Sequence, residues 1–229
     1  MTSESNLTDP AIDTCVVLCL KSPTKSKRRL AEEIGELATT AAVHLWACAL
    51  ETLQGWPGKV CYAPADTEDA AWLGSQLNSN AVMVLQRGEN LGERINYVDA
   101  ALRAKDEMSI IFIGTDCPAM EDGYLQRAAV ELVRSDVVLG PAIDGGVVLM
   151  GARVAWPTLA ELPWSTSSLC AALTTLCIEH GLVIANLKPR ADVDSVAALL
   201  ATRNELAQDP RPARRALSQW LKQPNAAWD

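Results

Sequence analysis

The chain has 229 residues, 49% of them hydrophobic and 21% charged, and a formal net charge of -8. That length buries a sizeable core in one α/β domain, and the acidic balance excludes a nucleic-acid partner gripped through backbone phosphates. No apolar run reaches membrane-spanning length, and the start MTSESNLTDPAIDT lacks the basic head and apolar body of a signal peptide, so a cytoplasmic location without a membrane partner is expected.

Residues 1–13 read as a disordered lead. Thr14–Leu20 (TCVVLCL) reads as a first buried strand. It runs into KSPTKSKRRL, where Lys21, Lys25, Lys27, Arg28 and Arg29 crowd together. Cations at the carboxyl end of a strand suit a phosphate site; the other reading is a solvated loop entering a helix. Leu37–Gln54 carries Val43, Trp46, Leu50 and Leu53 at helical spacing and ends at Gly55 and Pro57. Residues 59–63 form a second predicted strand, 67–77 a short helix and 81–86 a third strand. RGENLGERI then opens a helix with Leu91, Ile95, Val98 and Leu102 on one face. Backbone donors at its start suit an anion, and Arg94 lies on its first turns.

The stretch SIIFIGTDCP, residues 109–118, is the predicted centre. Ile110, Ile111, Phe112 and Ile113 make a run apolar on both faces, as in a central parallel strand. Ligands in open α/β sheets sit beyond the carboxyl ends of strands, which is where Asp116 falls. Asp116 is either a metal or ribose ligand or a cap for the next helix. A helix over 124–133 follows, then strands over 136–140 and 146–151 framing PAIDG. This puts Asp144 at a loop tip, with Gly145 and Gly146 forming a turn or letting a substrate approach the main chain. Ser165 or Thr166 is expected to cap a helix through His180 that Gly181 ends. After a strand over 182–187, ADVDS delivers Asp192 and Asp194, and Ser195 opens another helix. An aspartate at that point is a ligand or an N-cap. The alternation of strand and helix argues for a three-layer α/β/α sandwich with a mostly parallel central sheet. One domain is expected over 14–207, with a helical tail over 208–229 packed on it.

Seven cysteines, odd in number and without a CxxC pair, are expected as free thiols rather than disulfides or a zinc site. His44 and His180 lie at helical spacing in apolar stretches and read as packing or surface residues.

In chain order, LGER, GTDCP, GPAIDGG, LPWST and DVDS resemble the glycosyltransferase-like proteins encoded beside radical-SAM and selenodomain proteins. The resemblance spans about Val16 to Leu199. It implies a nucleotide-diphospho-sugar transferase fold of the GT-A type. It further implies that Asp116 and Asp194 hold Mg²⁺ or Mn²⁺, and that Lys27 and Arg29 contact phosphate. Arg94 joins those contacts if its helix start binds an anion. On the acceptor side the resemblance places Asp144, with Gly145 and Gly146, and Trp164 with Ser165; Asp144 would take or orient the acceptor hydroxyl's proton. Three departures stand out: no glycine precedes Lys27, Val147 replaces an aromatic residue, and Val196, Ala197 and Ala198 follow DVDS where Pro-Glu-Asp is usual. The implied function is sugar transfer from a nucleotide-diphospho-sugar to a small-molecule acceptor. Two alternatives stay open. One is nucleotidyl transfer from a nucleoside triphosphate to a phosphorylated small molecule; the other is nucleotide binding without catalysis. The lack of a glycine-rich triphosphate loop favours sugar transfer over nucleotidyl transfer.

Overall fold

The protein is described by a computed structural model covering residues 9–78 and 80–224. Of the expected lead, residues 1–8 lie outside the described residues, as do 225–229 of the expected tail. Residues 9–13 form a turn whose Ala11 is buried, with the Ala11 amide donating to Asp9 Oδ1 at 3.0 Å.

Among the described residues, seven strands make one sheet: β1 (Thr14–Leu20), β2 (Val60–Pro64), β3 (Val82–Met83), β4 (Ser109–Ile113), β5 (Val137–Pro141), β6 (Val147–Ala152) and β7 (Ile184–Asn186). Their order is β3-β2-β1-β4-β6-β5-β7. All run parallel except β6, which pairs antiparallel with both β4 and β5. The sheet is therefore mostly parallel, with β6 returning as the second arm of a hairpin.

Among the described residues there are eight helices: α1 (Arg28–Ile34), α2 (Leu37–Gln54), α3 (Thr67–Gln76), α4 (Leu91–Arg103), α5 (Asp122–Leu132), α6 (Leu169–Glu179), α7 (Val196–Glu205) and α8 (Pro212–Trp220). The period-two side-chain alternation of the strands sorts the core into two layers. Val16, Leu18, Ile111 and Ile113 face a cluster with Trp46 and Leu53 of α2 and Tyr124 and Leu125 of α5. Val17, Cys15, Ile110 and Phe112 face the other side, with Ile95 and Val98 of α4 and Leu173 and Cys177 of α6. A third cluster joins Leu30, Leu45, Val193, Leu199 and Leu217 of α1, α2, the loop before α7, α7 and α8. Helices on both faces of the sheet make the three-layer sandwich.

Several boundaries differ from expectation for local reasons. The third strand is two residues long, although the Val84 and Gln86 amides still bond Tyr62 O and Pro64 O at 3.0 Å each. Neither Ser165 nor Thr166 caps α6. Thr166 Oγ1 donates to Pro163 O at 2.7 Å, and the helix starts only at Leu169. Ser195 does cap α7, its side chain accepting from the Ala198 amide. All seven cysteines are free. His44 stacks on Trp220 with ring centroids 5.2 Å apart, and His180 is exposed at the end of α6.

The tail packs on α2 through α8. Arg214 is wholly buried there, pairing with Glu51 at 2.7 Å and donating to Pro118 O and Met120 O at 3.0 Å each and to Thr52 Oγ1.

Candidate functional site

The carboxyl ends of β1 and β4, the β5–β6 turn and the start of β6 line one cavity of about 410 Å³. Its lining brings together Lys27, Arg29, Asp116, Asp144, Gly146, Trp164, Ser165 and Asp194, all marked by the sequence, and adds Arg28 and Asp192.

Asp116 follows β4 and caps nothing, since α5 begins at Asp122 with Glu121 before it. Its Oδ1 accepts from Lys27 Nζ at 2.6 Å and from Thr115 Oγ1 at 2.9 Å. The Lys27 side chain is 5% exposed and Asp116 52%, so the ammonium is the sheltered partner. Lys27 Nζ also donates to Val193 O at 2.5 Å, and the Val193 amide donates to Asp116 O at 2.7 Å. These bonds tie the GTDCP loop to the DVDS loop. Asp194 is not a helix cap, because Ser195 takes that place; it pairs with Arg29 at 3.1 Å.

Two non-glycine residues of the site hold left-handed backbone, Lys27 at φ 56 and Ser165 at φ 62. Such geometry is uncommon outside glycine and concentrates at functional sites. At Lys27 it falls on the lysine itself, in the loop that lacks the expected glycine. Ser165 O accepts from Arg29 Nη2 at 3.3 Å, so the two strained positions are linked through Arg29.

The β5–β6 turn is built as its residues require. Asp144 Oδ1 accepts from the Gly146 amide at 2.9 Å, leaving its other oxygen outside that turn bond. Gly145 has φ +95, and a Cβ there would stand 2.0 Å from Ser167 O. The room reserved for a substrate at Gly145 is thus filled by the protein's own chain, and Gly145 is not among the lining residues. Gly146 does line the cavity.

Arg94 is likewise absent from the lining. Its Nε donates to Gly88 O at 2.9 Å, folding the side chain back on its own loop. The RGENLGER segment is instead a capping and docking device. Asn90 Oδ1 accepts from the Glu93 amide at 3.0 Å, and Glu93 Oε2 from the Glu89 amide at 2.7 Å. Gly92 is required because a Cβ would meet Leu159 O at 2.1 Å.

The electrostatics are those of crowded carboxylates. Burial first, then the charges of Asp144, Asp194 and Asp116, raise the Asp192 carboxyl from 3.8 to about 6. No role was read for Asp192 from the sequence; its place two residues before Asp194 was the available signal. Cys19 and Cys117 also line the cavity, but burial pushes both thiols up to about 12, which favours the protonated thiol near neutral pH.

Hard carboxylate oxygens suit Mg²⁺ or Mn²⁺. Among the described residues no three His, Cys, Asp or Glu side chains form a ready-made metal cage. Two half-exposed carboxylates, Asp116 and Asp194, still suit an ion that takes the rest of its ligands from substrate phosphates and water, as Mg²⁺ commonly does. No helix among the described residues is long and apolar enough to cross a membrane.

Comparison with known proteins supports the fold. A proposed nucleotide-diphospho-sugar transferase from Desulfovibrio desulfuricans G20 superposes with a TM-score of 0.81 at 20% identity, covering 92% of this chain and 98% of that one. CMP:2-keto-3-deoxy-manno-octonic acid synthetase complexed with CTP gives 0.51 at 14% identity, covering 86% and 99%. The manganese complex of Rv0371C from Mycobacterium tuberculosis H37Rv gives 0.50 at 16%, covering 81% and 94%. No curated protein sequence matches. These likenesses establish the nucleotide-diphospho-sugar transferase fold expected from the motifs. Residues 46–166, carrying Asp116, Asp144 and Trp164, match a family model, and the chain belongs to that family, the uncharacterized proteins conserved in bacteria called DUF2064.

Proposed function

We propose that this protein is a metal-dependent transferase that moves a sugar from a nucleotide-diphospho-sugar to a small-molecule acceptor. The observation carrying this reading is that Lys27, Arg29 and four aspartates line one cavity at the carboxyl edge of the sheet. Asp116 and Asp194, from separate loops, would hold Mg²⁺ or Mn²⁺ together with the two phosphates. That ion supplies neutralisation of the charge developing on the departing diphosphate. Lys27, sheltered in the cavity, adds a second positive charge toward the same oxygens, where exclusion of water makes it effective. Arg29 orients the diphosphate at the rim. Asp144 accepts or steers the acceptor's hydroxyl proton.

A second reading, nucleotidyl transfer with pyrophosphate release, draws support from the likeness to a synthetase that binds CTP. A thermal-shift panel of UDP, GDP, CTP, UDP-glucose and GDP-mannose, with and without Mg²⁺, separates the two. Metal-dependent stabilisation by nucleoside diphosphates and nucleotide sugars supports sugar transfer. Preference for CTP, with pyrophosphate released on adding a phosphorylated acceptor, supports nucleotidyl transfer. Absence of any metal-dependent shift would leave only nucleotide binding without catalysis, or neither activity.

A further inference from the structure

The cavity has two chemically different parts. One is the charged rim just described. The other is an inner wall of carbon, formed by Leu91 and Ile95 of α4, Phe112 of β4, Val147 and Met150 of β6, and Trp164. Five of these pack in or against the apolar layer beneath α4 and α6; Leu91, at the first turn of α4, is 43% exposed. Two of the polar groups beside the wall are already engaged. Trp164 Nε1 donates to Leu159 O at 2.9 Å, so the indole offers the cavity only its ring. Thr166 Oγ1 donates to Pro163 O at 2.7 Å and stands 2.9 Å from Ser168 Oγ.

Sugar hydroxyls turned toward this wall, rather than toward the charged rim, would lose water without gaining directed partners, which is unfavourable. A hydrocarbon body gains from leaving water there, and small-ligand sites commonly combine such a wall with a few convergent polar groups. Asp144 supplies the polar group, since it lines the same cavity and its turn bond to the Gly146 amide fixes its orientation.

We infer that the inner wall receives the acceptor, and that the acceptor is a small alcohol or phenol with a hydrocarbon body rather than a sugar. This rests on the transferase reading above. In the step, the acceptor oxygen bonds to the anomeric carbon as the bond from that carbon to the diphosphate oxygen breaks. The diphosphate leaves with the bonding electron pair, and the hydroxyl proton passes to the Asp144 carboxylate.

The test measures binding to the full chain by thermal shift and calorimetry, using 2-phenylethanol and glucose as probes, each with and without UDP and Mg²⁺. The expected result is stabilisation by 2-phenylethanol and none by glucose at equal concentration. Val147→Trp fills the wall and should weaken 2-phenylethanol binding at least about tenfold, the discrimination an apolar pocket gives against misfit, while the UDP shift remains. Leu91→Glu, at an exposed position that does not burden folding, should weaken the alcohol in the same direction. Stronger binding of glucose, or alcohol binding unchanged in both variants, would overturn the inference. Nucleotide binding without alcohol binding overturns the acceptor assignment alone. Alcohol binding without any nucleotide shift overturns the transferase reading and keeps the ligand class of the wall.

Discussion

The loop after β4 is gripped at two places by cations. At the core, Arg214 is wholly buried and donates to Pro118 O, Met120 O, Glu51 and Thr52. Arg211 adds a bond to Met120 O at 3.0 Å. At the cavity, Lys27 and Arg29 reach Asp116 and Asp194, whose side chains are 52% and 40% exposed. The core set is enclosed, so its bonds serve to hold the loop in place. In the cavity set the carboxylates are half-exposed, so each keeps a face toward solvent. The same chemistry therefore does structural work where water is excluded and stays available for binding where it is not.

The largest effect is expected from Arg214→Ala. It leaves Glu51 Oε2 and Pro118 O without their donor, while Met120 O keeps its bond from Arg211, and removing one partner of a buried pair costs about 3–5 kcal/mol. Urea unfolding measures this; a cost under about 1 kcal/mol would break the distinction between core and cavity. Next comes Asp116→Ala, expected to lower turnover with a nucleotide sugar by about a hundredfold or more, the scale seen when one charge-stabilising group is removed. Circular dichroism should show the fold retained, and unchanged turnover would remove Asp116 from the site. Lys27→Gln should weaken UDP binding about ten- to hundredfold by calorimetry, the scale for a charged hydrogen bond. Arg29→Ala should leave stability within about 1 kcal/mol, because its pair with Asp194 is exposed.

The smallest effect sharpens the comparison through pH. At the core, the Arg211 side chain and then its backbone amide hold the Asp209 carboxyl below 3.8. Its folded value is depressed, so the stability it contributes is present above 3.8 and lost as pH falls through the folded value. At the cavity, Asp192 has the opposite sign. Its folded value of about 6 lies above 3.8, so the folded state favours the proton, and stability falls as pH rises from 3.8 to about 6. Thermal melts across this range should show Asp209→Asn flattening the acid limb and Asp192→Asn removing the loss toward neutral pH.

Much of the fold was legible because it depends on neighbours along the chain. The apolar run at β1 and the three- and four-residue spacing of α2 gave both elements their bounds. α1 is harder to read, since its first residues belong to a run of cations that a solvated loop explains equally well. Ser165 and Thr166 have the chemistry of caps, yet tertiary packing put Ser165 in left-handed backbone and delayed α6 to Leu169. Arg94 looked like an anion contact because its helix start was visible and its bond to Gly88 was not.

By itself the sequence determined most of the strands and helices, and it placed an aspartate at the end of β4, at the β5–β6 turn and before α7. Periodicity and turn residues encode these locally. Only the tertiary structure decided which carboxylates meet which cations. Lys27 reaches Val193 across 166 positions, Arg29 reaches Asp194 across 165, and Arg214 reaches Glu51 across 163. Such pairings follow from the strand order and from how loops fold over the sheet edge. The carbon wall beside them arises the same way, because α4, β4, β6 and Trp164 become neighbours only once the sheet is assembled.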